Sequence, residues 1–82
     1  MIRMYGDLAN PDLDGTVHLH HAEDDVSDAS ELQDGLKIVV WDDVLEAEGT
    51  LEHYEGGWRT RMDWQTLTDR ESGKRLPERY WR

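Results

Sequence analysis

Two stretches of alternating polarity on either side of a glycine-rich turn constrain the fold of this chain most. Residues 44–54 carry apolar or small side chains at every second position and mainly acidic ones between them. Residues 58–64 alternate in the same way, with arginines on the polar side. A period of two is that of a half-buried strand, and Glu55-Gly56-Gly57 can supply the positive φ angles of a tight hairpin. The sequence therefore predicts an antiparallel hairpin with one apolar face.

The side chains of this predicted hairpin divide into two sets. The inward set consists of Leu45, Ala47, Gly49, Leu51, His53, Trp58, Thr60, Met62 and Trp64. On the outward face, antiparallel pairing places Glu48 and Glu52 beside Arg59 and Arg61, which predicts cross-strand ion pairs. Gly49 in the middle of the strand predicts a bulge or a bend.

Shorter strands are predicted on both sides of the hairpin. Residues 1–5 form a first strand, and residues 16–21 alternate as a half-buried second strand. Residues 36–41 are apolar on both faces, which favours a central position in a sheet. Residues 67–76 predict a second, shorter hairpin. Asp28 followed by Glu31 three residues later has the spacing of a capping box, so a short helical turn is expected near residues 28–34.

Five or six short strands with glycine-bearing turns predict an all-β chain. We expect a small five- or six-stranded antiparallel barrel or a strongly bent sheet. Its 82 residues are enough for one domain, 1–82, in which 77–82 form a possible tail.

The run from Leu32 to Val40, followed by Gly49-Thr50-Leu51-Glu52 and Trp58, resembles the rhythm of SH3-like small β-barrels. This resemblance covers about half of the chain. The chain is also similar to small uncharacterised bacterial domains in which a Glu-Gly strand precedes a Trp-bearing strand. Both resemblances imply a fold, and neither implies a function, because small barrels serve many unrelated tasks.

The charge is large and unevenly distributed. The formal net charge is −10. Residues 1–58 contain 15 acidic and 2 basic side chains, a net −13, whereas residues 59–82 contain 4 acidic and 7 basic side chains, a net +3. An acidic body repels phosphates and anionic lipid headgroups, so neither direct nucleic-acid binding nor membrane binding is expected.

The composition also bears on the compartment. The chain contains no cysteine, which excludes disulfides and thiolate metal sites. A secreted domain of this size usually carries disulfides. Its N-terminal residues also lack an apolar stretch of signal-peptide length. We therefore expect a cytoplasmic protein.

Metal binding has two weak candidates in the sequence. His18 and His20 lie on one face of the predicted strand, about 6.5–7 Å apart, but a fixed zinc site needs three or four ligands. Residues 10–17 resemble the start of an EF-hand loop, yet its twelfth position is His21 rather than glutamate. The simpler interpretations are solvent-facing strand histidines and an Asx-rich turn, so no metal and no cofactor is expected.

Catalysis is not indicated either. The acids at 42, 43, 46 and 48 cluster near the strongest strand, but close carboxylate pairs are expected by chance in a chain this acidic. None of the three serines has a histidine partner marked by a motif. The sequence therefore predicts a protein that is not an enzyme.

The remaining interpretation is a non-catalytic, acidic protein–protein interaction module that docks onto a basic or mixed-charge protein surface. The candidate partner-binding residues are Glu23, Asp24, Asp25, Asp28, Glu31, Tyr80 and Trp81. Acids at 42–48 would add electrostatic steering. Two alternatives stay open. One is a phosphate-mimicking inhibitor of a nucleic-acid-handling protein, which needs a continuous acidic stripe without interleaved arginine. The other is a metal-binding domain that uses His18 and His20. The sequence does not indicate an oligomeric state.

Overall fold

Six β-strands form one sheet in the computed structural model, which describes residues 1–77. The strands are β1 (Ile2–Tyr5), β2 (Thr16–Leu19), β3 (Lys37–Trp41), β4 (Leu45–Tyr54), β5 (Gly57–Met62) and β6 (Thr68–Asp69). Their spatial order is β1-β3-β4-β5-β2, and β6 pairs with the beginning of β4. Short 3₁₀ helices occupy Ala22–Asp25, Ala29–Glu31 and Trp64–Thr66. The predicted all-β class is confirmed.

The central hairpin forms as predicted. β4 and β5 pair antiparallel, with Glu52 opposite Arg59 and His53 opposite Trp58. The connecting residues Glu55 and Gly56 both have positive φ angles, 49° and 77°. Two successive positive φ values define the type I′ turn, whose twist matches that of the flanking strands. The alternation and the two-residue turn Glu55-Gly56 therefore determine the register of this hairpin.

β5 is shorter than predicted at its far end. It stops at Met62, and Trp64 begins a 3₁₀ helix instead of continuing the strand. The cause is local, because the Asp63 carboxylate accepts a hydrogen bond from the backbone N–H of Gln65 and caps this helix. The predicted strand over residues 16–21 likewise ends early, at Leu19.

The sheet is antiparallel except at β1. β1 runs parallel to β3, with Ile2 opposite Ile38 and Tyr5 opposite Trp41. The fully antiparallel arrangement expected from the sequence is therefore wrong at this pair. A parallel pair requires a long connection, and residues 6–36 provide one that also carries β2 and two 3₁₀ helices.

The core lies on the inner face of the bent sheet. The most deeply buried large side chains are Met4, Ile38, Val40, Leu51, Thr16 and Thr60. Gly49 lies at a close approach of β4 to β5, since a Cβ there would meet the Thr60 hydroxyl and the Arg61 carbonyl oxygen. The glycine predicted to mark a bend thus marks a close approach between two strands.

Two smaller predictions are also confirmed. The Asp28–Glu31 capping box is present, although the 3₁₀ helix it caps covers only Ala29–Glu31. The second hairpin forms around residues 70–73 and is closed by a bridge between Thr68 and Arg75. Of the predicted tail, residues 78–82 lie outside the described part of the chain. Among residues 1–77, no helix is long and apolar enough to cross a membrane.

Candidate functional site

Residues 22–31, here called the acidic segment, present five exposed carboxylates. These are the predicted partner-binding residues Glu23, Asp24, Asp25, Asp28 and Glu31. The segment is held in place by its own hydrogen bonds. Asp25 Oδ2 accepts from the Tyr5 backbone N–H at 3.2 Å, which ties the segment to β1. Hydrogen bonds from the backbone and side chain of Ser30 lower the pKa of Asp28, which favours its charged form.

Among residues 1–77, no lysine or arginine nitrogen lies within 4.0 Å of the five carboxylates of the acidic segment. Asp24 contacts His21 at 3.7 Å. Four of the arginines described pair elsewhere: Arg3 and Arg70 approach Glu46, and Arg59 and Arg61 approach Glu52. The negative charge of the acidic segment is therefore left facing solvent.

Asp42 and Glu46, two of the four acids in residues 42–48, behave differently from the acidic segment. Asp42 Oδ1 accepts hydrogen bonds from the backbone N–H groups of Val44 and Leu45, at 2.8 and 2.7 Å. Glu46 is paired with Arg3 at 3.2 Å. These two acids therefore stabilise the β3–β4 turn and the outer face of the sheet, and they add little to the exposed negative surface.

The predicted cross-strand ion pairs form around Glu52. Its Oε1 contacts Arg59 Nε, and Arg61 Nη2 lies 3.2 Å away. Glu48, the other predicted partner, has no lysine or arginine nitrogen within 4.0 Å among residues 1–77. Burial of the Arg59 guanidinium lowers its pKa, but the hydrogen bond and the negative charge of Glu52 outweigh this effect, so the pKa is raised. Because two arginines flank Glu52, this face carries no continuous acidic stripe, which disfavours phosphate mimicry here.

An apolar groove with a volume of about 660 Å³ lies at the end of the sheet away from the hairpin turn. Its walls come from the loop after β1, the β3–β4 turn and the segment after β5. Leu8 and Leu67 are buried at its base, with 4% and 2% of their surfaces exposed. Leu13 and Val44 line the same groove and are 110% and 60% exposed. Large apolar side chains are therefore displayed to solvent beside an apolar cavity.

The charged side chains that line the groove are acidic. Asp12 and Asp69 line it, and no lysine or arginine is among its lining residues in the described part of the chain. Trp64 forms one wall, and its indole N–H donates to the Gly15 carbonyl oxygen at 3.2 Å. That bond holds the loop after β1 against the 3₁₀ helix Trp64–Thr66. The groove thus combines apolar walls with a negative edge.

The two histidines that the sequence marks as metal candidates, His18 and His20, have different surroundings. His18 Nε2 is 2.7 Å from Asp12 Oδ2, and its ring packs edge-on against Tyr54. His20 is exposed in the turn that follows β2 rather than on the strand. Within residues 1–77 no three histidine or acidic side chains are grouped closely enough to hold a metal ion.

The loop that resembles an EF-hand start is an Asx turn in the structure. Asp14 Oδ1 accepts from the Thr16 hydroxyl at 2.6 Å and from the Thr16 N–H at 3.1 Å. These hydrogen bonds lower the pKa of Asp14. The carboxylates of this loop are therefore engaged with the protein itself, which is the simpler of the two interpretations offered by the sequence.

The described tryptophans pack against the sheet. Trp58 stacks on His53 with ring centroids 3.7 Å apart, and both Trp58 and Trp64 contact the core while remaining partly exposed. Trp41 meets Tyr5 edge-on at 5.1 Å on the outer face. The predicted partner-binding residues Tyr80 and Trp81 lie outside the described residues.

Comparison with known proteins adds no relative. No family model matches the chain, and neither a curated protein nor a solved structure matches it. The resemblance to SH3-like barrels therefore stays a prediction.

The groove is the feature that sequence reasoning missed. Its lining residues come from three segments that are far apart in the chain, so no local pattern joins them. A signal was nevertheless present at Leu13, an isolated apolar residue between Asp12 and Asp14 in a stretch predicted to be a turn. An exposed apolar residue in an acidic turn indicates a contact that covers it, either within the fold or with another molecule.

Proposed function

We propose that this chain is a non-catalytic interaction module that docks onto a basic or mixed-charge protein surface through its acidic segment. The observation that carries the proposal is the set of five exposed carboxylates without a lysine or arginine nearby among residues 1–77. Charges within roughly 8 Å of a partner act with little screening at physiological salt, so this surface would steer a cationic partner during approach. The absence of cysteine supports a cytoplasmic setting for the module.

Electrostatic steering predicts a particular kinetic behaviour. Association rates of steered complexes fall steeply with salt, whereas dissociation changes less. The probe is a short peptide rich in lysine and arginine, and its association with the immobilised protein is followed from about 50 to about 200 mM salt. We expect a steep fall in the association rate over that range.

Two variants with the same change in net charge separate a docking surface from overall charge. The first, E23Q/D24N/D25N/E31Q, neutralises the acidic segment and keeps a carbonyl oxygen at each position. The matched control, D43N/E48Q/E55Q/E71Q, removes four exposed acids elsewhere. We expect the first variant to slow association roughly tenfold and the control to change it much less. Equal slowing by both variants would show that net charge alone attracts the peptide, and the proposal would fail.

A further inference from the structure

We propose that the apolar groove receives an aromatic side chain of the partner protein, and that a lysine or arginine next to this aromatic residue faces Asp12 and Asp69. This inference rests on the proposed function, since it concerns the same partner. It identifies where the docked partner would be anchored after electrostatic steering.

The size and walls of the groove suit a bulky side chain. Its volume of about 660 Å³ falls within the roughly 300–1,000 Å³ of sites that bind small ligands. Leu8 and Leu67 form an apolar base, and Leu13 and Val44 stand exposed beside it. An inserted aromatic ring would cover these two side chains and bury roughly 150–250 Å² of its own surface.

The groove walls are held by hydrogen bonds, so little ordering is needed on binding. The loop after β1 is closed by bonds from Asp12 N–H to the Thr16 carbonyl (2.8 Å) and from Gly15 N–H to the Asp12 carbonyl (2.9 Å). On the opposite wall, Leu76 N–H donates to the Leu67 carbonyl at 2.9 Å. A preformed apolar site loses less binding free energy to the ordering of loops and side chains, so the same contacts give a higher affinity.

Charge complementarity selects the occupant. The described lining residues include two aspartates and no cation. Asp69 Oδ1 accepts from the backbone N–H groups of Glu71 and Ser72, which orients the carboxylate without neutralising it. Asp12 is 2.7 Å from His18. An apolar ligand with a neighbouring positive charge therefore fits this groove better than a neutral or anionic one. Aromatic residues and arginine are also the side chains that most often anchor protein interfaces.

The test compares two peptides on the full chain. One carries a single tryptophan between lysine and arginine residues, and the other replaces that tryptophan with serine. We expect the tryptophan peptide to bind roughly tenfold more tightly. We also expect it to shift the methyl NMR signals of Leu8 and Val44. Equal affinity of the two peptides would overturn the inference and leave the charge-driven function intact.

Variants at the edge of the groove complete the test. L13S/V44S replaces two exposed side chains and so should leave the fold intact, while Y5S changes an exposed aromatic residue away from the groove. We expect L13S/V44S to abolish the preference for tryptophan and Y5S to preserve it. L13S/V44S should also retain the salt dependence of association, because the acidic segment is unchanged. Tryptophan preference without salt dependence would instead contradict the proposed function.

Two other occupants are separate outcomes. If the tryptophan peptide binds only when Tyr80 and Trp81 are replaced by serine, the groove belongs to the chain's own C-terminal residues and the inference fails. If the protein self-associates in a concentration-dependent way that L13S/V44S abolishes, the occupant is a second copy of this chain. Sedimentation of the wild type and of L13S/V44S detects self-association, and peptide binding to the Y80S/W81S variant detects occupation by the C-terminal residues. Either result would overturn the inference.

Discussion

Replacing Gly49 with alanine tests the close approach between β4 and β5. Gly49 pairs with Ile38 of β3 on one side and with Met62 of β5 on the other. An added Cβ would lie too close to the Thr60 hydroxyl, 3.1 Å from Met62 Sδ and 3.2 Å from the Arg61 carbonyl oxygen. Thr60 is fully buried and its hydroxyl donates to the Thr50 carbonyl, so it cannot simply turn away.

The size of the effect follows from what must move. Met62 is a flexible side chain and can adjust at small cost, but the Arg61 carbonyl belongs to the paired backbone of β5. Forcing one extra methyl into a packed interior costs about 1–3 kcal/mol. For a domain of this size, 1 kcal/mol corresponds to a change in Tm of roughly 4–8 °C. We therefore expect G49A to lower Tm by roughly 4–24 °C.

Thermal and urea unfolding followed by tryptophan fluorescence measure this difference. The matched control is G57A, because a Cβ at Gly57 would meet only the Tyr54 carbonyl at an ordinary 3.7 Å. The double variant G49A/T60A removes the hydroxyl that the new methyl meets, so its loss should be smaller than the sum of the single losses. A G49A protein within about 0.5 kcal/mol of wild type would refute the close packing of Gly49 against Thr60.

Three further predictions concern the hairpin turn, the outer-face charges and the acidic titration. E55N should raise the free energy of unfolding by up to about 1 kcal/mol in urea titrations, because asparagine tolerates the positive φ at this position. E52Q should lower Tm more than its control E48Q, since Glu52 contacts two arginines; equal effects would show that the pairs add no stability. Four aspartates have a pKa lowered by hydrogen bonds: Asp7, Asp14, Asp28 and Asp34. Their stabilising contribution is present above the unfolded pKa of about 3.9 and is lost as the pH falls through their lower folded values. Unfolding should therefore become easier below about pH 4, and constant stability from pH 5 to pH 2 would contradict this.

The parts of the fold that the sequence predicted are those with short-range signals. The β4–β5 hairpin has two matching alternations and a turn whose φ angles glycine favours, so both its existence and its register followed. The capping box at Asp28 is also local, because its two side chains are three residues apart. The early end of β5 was missed because the preference of Asp63 for capping Gln65 competed with an alternation that continued to Trp64.

Long-range pairing carried no comparable signal. Nothing near Ile2–Tyr5 specifies that this strand runs parallel to β3, since that choice depends on how residues 6–36 cross the fold. The candidate site divides in the same way. The acidic segment is contiguous and was found from the sequence, whereas the groove joins Leu8, Val44 and Trp64 only after folding.

The sheet order has a consequence for how the chain reaches its structure. Both N-terminal strands pair with strands that follow them in the chain: β1 pairs with β3, and β2 pairs with β5, the second strand of the hairpin. During synthesis, β1 therefore has no strand to join until β3 has been made, and β2 has none until β5, the second strand of the hairpin, has emerged. We expect the hairpin to nucleate folding and the two N-terminal strands to dock last, at the slow rate that distant contacts impose.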